Sequence, residues 1–112
     1  MRFEWDENKN RQNLRKHDVR FETALLVFDD PNALTQRDTH SYEEVRWITI
    51  GAIKPGSVLL VVHTFYERRG EEVIRIISAR AAASHERKAY EETHEGAEER
   101  HPRRRRKRRR GN

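Results

Sequence analysis

Val73-Ile74-Arg75-Ile76-Ile77-Ser78-Ala79-Arg80, running on into Ala81–Glu92, decides how this chain is read. It is a β-branched strand that leads almost directly into a helix. An arginine in such a strand needs an anionic ligand or an acidic neighbour, because burying an unpaired guanidinium costs several kcal/mol. Arg75 and Arg80 bracket the strand. Alternation puts them on opposite faces unless a bulge intervenes.

Upstream of this strand the pattern repeats twice. Val45–Ile50 and Val58–Phe65 read as strands, the second the most apolar and so central. Lys54-Pro55-Gly56-Ser57 between them suits a type II turn. Glu67–Glu71, with Gly70, makes another hairpin loop. Short connections make the strands antiparallel neighbours. Ala33–Gln36 reads as a further short strand, and Arg37–Tyr42 as a polar loop.

The N-terminal third is helical. Phe3-Glu4-Trp5 is a short edge strand or arm, and Asp6 is a good N-cap for a helix over residues 7–17. That helix is almost wholly polar, with Leu14 its one evident anchor. His17-Asp18-Val19 is a turn. Phe21, Ala24, Leu25 and Phe28 then recur at i, i+3, i+4 and i+7, an amphipathic face ended by Asp30-Pro31. The last helix is capped by Ser84 and ends near Thr93. The expected fold is α+β: two N-terminal helices, an antiparallel sheet of three to four strands and a C-terminal helix, the helices on one sheet face and the other face open or covered by a partner.

Charge divides the chain. Of 24 Lys and Arg, nine fall in Arg100–Arg110, whereas all 19 Asp and Glu precede residue 100. Residues 1–99 therefore carry 15 basic against 19 acidic side chains, a formal −4, and the tail carries +9. A domain over 1–94 and a disordered basic tail over 95–112 are expected. The tail, with Arg103, Arg104, Arg105 and Arg106, is the clearest polyanion-binding segment, giving affinity and salt dependence without reading sequence. No cysteine is present, which removes disulfides and thiolate metal sites. No run of about 18 apolar residues exists and Met1–Asp6 has no apolar signal region, so no membrane association and a cytoplasmic location are expected. Asp29, Asp30 and His40 lack repeated ligand spacing, so no metal and no cofactor are expected.

Several motifs together resemble a known family. Phe3-x-Trp5-Asp6-x-x-Lys9-x-x-x-Asn13-x-x-Lys16-His17-x-Val19-x-Phe21-x-x-Ala24, followed by Val27-Phe28-x-Asp30-Pro31, is similar to the BrnT toxins of type II toxin–antitoxin systems. Glu44-x-Arg46, Ile50-Gly51, Leu60–Thr64, Arg75–Arg80, Glu86 and Tyr90 fit too, so the resemblance spans residues 2–92 and omits the tail. It implies a RelE-like fold and a ribonuclease that blocks translation. It also implies a BrnA-like ribbon-helix-helix antitoxin, through which alone the complex would meet operator DNA and repress its own operon.

Metal-free RNA cleavage by the 2′-hydroxyl needs a base, an acid and cations for the phosphorane. Arg75 and Arg80 are the natural phosphate ligands, since a guanidinium binds two oxygens at once. Ion pairs with Glu44, Glu71 or Glu86 are their structural alternative. His63 titrates near neutrality and serves as base or acid, or else as a hydrogen-bonded strand residue. Glu44 is a candidate base, or orients Arg46 or Arg75. Tyr90 reaches the phosphate with its hydroxyl, or docks the last helix. Lys9, His17 and Arg46 are candidate RNA contacts, with solubility, helix capping and pairing to Glu44 as their plainer roles. Trp5 and Trp47 belong to the core before they stack on bases. The competing function is a nucleic-acid-binding or co-repressor module without catalysis.

Overall fold

The computed structural model describes residues 1–39 and 44–93. Parts of the expected 37–42 loop and the whole basic tail from 95 lie outside these residues.

The chain runs β1 (Arg2–Glu4), α1 (Glu7–His17), α2 (Phe21–Ala24) continuing as a 3-10 turn over Leu25–Asp29, β2 (Leu34–Arg37), β3 (Trp47–Lys54), β4 (Ser57–Arg68), β5 (Glu71–Ala81) and α3 (Ser84–Glu92). Local chemistry explains most boundaries. The Asp6 carboxylate accepts from the Asn8 N–H at 2.8 Å and starts α1, while Asp18, at φ 61°, ends it. Gly56, at φ 80°, turns β3 into β4. Arg69 and Gly70, both at positive φ, form the two-residue turn between β4 and β5. The final helix begins one residue from the expected position. Ala83 is its N-cap, and the Glu86 carboxylate reaches back to accept from the Ala83 N–H at 2.8 Å.

The sheet order is β1-β5-β4-β3-β2, with β4 central as its apolar run required. It has five strands rather than three or four, and it is mixed, because β1 pairs parallel with β5 (Phe3 opposite Ile74). A three-residue strand has too little pattern of its own to announce its partner. The helices also occupy both faces rather than one. On the first face, Phe21, Ala24, Val27 and Phe28 pack on Leu59, Val61, Ile74, Ile76 and Ala79. On the second, Tyr90 of α3 packs on Ile50, Val58 and Leu60. Each large side chain so buried contributes about 1.5–3 kcal/mol. Among the described residues no helix is long and apolar enough to cross a membrane.

The polar helix α1 is held in a way its sequence hides. Its buried residues are Asn10 and Asn13, not Leu14. β1 stops opposite Arg75, which leaves the outer edge of β5 open beyond that point. Asn13 fills it: its amide donates to Ala79 O at 2.8 Å and Val19 O at 2.9 Å, and accepts from Ala79 N at 3.1 Å. One side chain thus stands in for a strand residue and satisfies backbone groups that burial would otherwise orphan. Asn10 does the same for α2, accepting from Phe21 N at 2.8 Å and donating to Glu22 at 3.0 Å.

Candidate functional site

The decisive irregularity lies in β5. Val62 pairs with Ser78, but His63 pairs with Ile76, so Ile77 is the extra residue of a β-bulge. Arg75 sits opposite Thr64 and Arg80 opposite Leu60. Thr64 and Leu60 are four apart on one strand, hence on one face. The bulge therefore brings both arginines to the second face, about 13 Å apart along the sheet.

Two clefts meet at the bulged Ile77. One, of about 350 Å³, is lined by Glu44, Val45, Thr64, Phe65, Tyr66 and Arg75. The other, of about 440 Å³, lies between α1 and β5 and is lined by Lys9, Gln12, Lys16, His17 and Ser78 among others. Lys9, near the start of α1, and Lys16 and His17, in its basic last turn, are exposed. The first cleft carries Arg75 with Glu44, the second the cations Lys9, Arg15, Lys16 and His17, and Arg80 lines neither.

The two arginines differ in state. Arg75 is exposed and has no carboxylate within salt-bridge distance among the described residues. Arg80 is half-buried and clamped by Glu86 through two bonds of 2.8 and 2.9 Å. That fork holds the Glu86 carboxyl down at about 2 and raises the guanidinium further. Arg80 thus meets its expected acidic partner, yet its Nε–H is free of the bonds described. The two guanidinium groups do not converge on one point.

The remaining expected residues scatter. Glu44 and Arg46 pair with each other at 3.2 Å, with Glu44 also facing the cleft of Arg75. His63, expected at the end of the central apolar run, lies inside β4, which runs on to Arg68. Its ring is wholly buried under Phe28, edge-on at 5.1 Å, and its Nε2 is 2.8 Å from the Thr49 hydroxyl. Thr49 in turn bonds Thr35 at 2.8 Å, a closed polar chain inside the first face. Tyr90 is buried too. Its hydroxyl donates to Asp30 at 2.5 Å, and burial followed by that carboxylate pushes its pKa upward. Neither residue lines either cleft. Trp5 packs edge-on against Phe21 at 6.0 Å, a core contact.

Sequence reasoning missed the groups nearest Arg75. Glu4, Arg75 and Thr64 stand in one row across β1, β5 and β4. The Tyr66 hydroxyl donates to Glu4, and Arg68 donates to the Tyr66 oxygen at 2.7 Å. The phenol's bond, with Arg68, Arg75 and Arg2 nearby, outweighs burial and holds the Glu4 carboxyl below its usual range. Glu4 correspondingly holds the Tyr66 phenol above its usual range. The only signal in the sequence was that Glu4, two residues from Arg2, faces away from Phe3.

A family model described as the ribonuclease toxin BrnT of type II toxin–antitoxin systems matches residues 5–86. Among solved structures, the fold is similar to that of the Brucella abortus ribonuclease toxin BrnT. The two share 22% identity with a TM-score of 0.53, over 75% of this chain and 99% of that one. No curated protein matches the sequence.

Proposed function

The chain belongs to the BrnT family of ribonuclease toxins of type II toxin–antitoxin systems, and from that premise we propose that it is a RelE-like, metal-independent endoribonuclease that cuts RNA by attack of the 2′-hydroxyl on the adjacent phosphate. The observation that carries this is the β5 bulge, which sets Arg75 and Arg80 on one open face beside the basic flank of α1. Arg75, exposed and lining its cleft, holds the scissile phosphate. Arg80, about 13 Å away, holds a neighbouring phosphate through the donors Glu86 does not use. Lys9, Lys16 and His17 carry the strand across α1, and Glu44 with Arg46 borders its other side. His63 and Tyr90 act through packing rather than through contact with RNA.

The wider role follows from the same premise. The toxin arrests translation in the cytoplasm, a BrnA-like antitoxin neutralises it, and the pair represses its own operon through the antitoxin's DNA-binding part. The Arg100–Arg110 segment adds sequence-independent affinity for RNA. The test is direct. Purified protein is mixed with a labelled transcript in EDTA, and fragments ending in 2′,3′-cyclic phosphate are expected. Binding without fragments would favour the non-catalytic module.

A further inference from the structure

The reaction proposed above lacks a base, and the residues first suggested for it do not supply one. His63 is sealed in the first face, and Glu44, the other candidate base, is paired with Arg46 at 3.2 Å; Tyr90 is bonded to Asp30. Three observations converge elsewhere. Tyr66 lines the same cleft as Arg75. Its hydroxyl is already hydrogen-bonded as donor to the Glu4 carboxylate, and the Arg68 guanidinium fixes its oxygen from a second side and lies 5.3 Å from the ring centre. Thr64, between Tyr66 and the bulge on that face and opposite Arg75, has a buried hydroxyl with no partner among the described residues. A clasp that only tied β1 to β4 would not need, in the same cleft, an exposed guanidinium with no carboxylate at salt-bridge distance among the described residues.

We propose that Tyr66 is a catalytic residue of this site: its oxygen takes the proton of the attacking 2′-hydroxyl while its own proton passes to Glu4, and Arg68 is the positioning residue that holds the phenol for the exchange. This rests on the ribonuclease reading. As the O2′–P bond forms, the P–O5′ bond breaks. The leaving 5′-oxygen takes a proton from solvent water at the open mouth of the cleft. The products are a 2′,3′-cyclic phosphate and a 5′-hydroxyl, and Glu4 then returns its proton to water. A phenol donating to a carboxylate suits this relay, because the exchange at Tyr66 never requires a free phenolate. Arg75 beside it neutralises the charge that develops on phosphorus. The thiol-free, strand-borne pair also explains why the short β1 is clamped to the sheet at Glu4.

The experiment uses the full chain and two RNA substrates, one ordinary and one with a bridging 5′-sulfur at the cut. The sulfur leaves as thiolate without needing a proton, so its cleavage still needs the base but not the acid. Tyr66→Phe keeps the ring and removes the relay. It is expected to lower kcat at least about 100-fold on both substrates with KM unchanged. Glu4→Gln, which keeps an acceptor for the phenol, is expected to do the same, and serves if Tyr66→Phe fails to fold. A defect that vanishes on the sulfur substrate would place Tyr66 at the leaving group and overturn the assignment. Wild-type kcat in both variants would overturn it too. If the wild-type protein itself makes no cyclic phosphate, it is the ribonuclease reading that fails, and the two failures are thereby told apart.

Discussion

The two faces of the sheet are built from the same strands and yet differ in kind. Under α1 and α2 the first face is closed. Phe21, Val27, Val61, Ile74 and Ile76 are essentially inaccessible, and its polar groups are bonded in chains such as Thr35–Thr49–His63. The second face is covered by α3 only around Ile50, Val58 and Leu60. Elsewhere on it Arg68 and Arg75 are exposed, Glu4 and Tyr66 are half-buried, and the buried Thr64 hydroxyl has no partner among the described residues. Charges are tolerated on that face because water screens them, and they can exchange water for phosphate. The contrast teaches that a histidine and an arginine on neighbouring strands meet opposite fates: one finishes a core, the other stays in water.

If this division is right, substitutions on the open face should cost activity and those on the closed face should cost stability. The sharpest break is Arg75→Ala. It should lower cleavage about 10²–10³-fold with the thermal midpoint unmoved, as single-turnover assays beside calorimetry would show. A variant that is merely less stable would erase the distinction between the faces.

Next in size is Asn13→Ala, which strands the Ala79 N–H and two buried carbonyls. It should cost about 3 kcal/mol of unfolding free energy, measurable by urea titration. A loss below about 0.5 kcal/mol, the range of ordinary surface changes, would show that water replaces the amide and that this edge is not closed.

Gly51→Ala tests the packing of the first face. A Cβ there would lie 3.1 Å from both the side chain and the backbone oxygen of Val27, and 3.2 Å from Ala33. Because part of that wall is backbone, the expected cost is about 1–3 kcal/mol, with activity per folded molecule retained.

The smallest effect belongs to the Arg80–Glu86 fork, which ties β5 to α3. The Glu86 carboxyl is at about 2 in the folded chain against an ordinary 4.5. A depressed carboxylate stabilises the fold above the higher value and loses that contribution as pH falls from 4.5 towards 2. Arg80 is partly exposed, so screening leaves about 1 kcal/mol. Acid titration of stability should lose that component in Glu86→Gln, and an unchanged acid limb would remove the fork from the account.

What the sequence determined by itself is what depends on neighbours in the chain. The Asp6 cap, the stop at Asp30-Pro31, the Gly56 and Gly70 turns and the centrality of Val58–Phe65 all follow from local dihedral preference and periodicity, and the α+β order of elements follows from them. The same patterning marked Arg75 and Arg80 as anomalous in a buried strand. Tertiary structure alone decided the rest. Pairing across strands placed the bulge at Ile77 and so put both arginines on one face. A contact 66 residues distant made Asn13 a core residue, although its amide reads as surface in sequence. The packing of Phe28 over β4 sealed His63 in the interior, and the parallel docking of β1 brought Glu4 to Tyr66 and Arg75. Hydrogen-bond partners and register between distant segments are set by how the whole sheet closes over its core, and no short window of sequence encodes them.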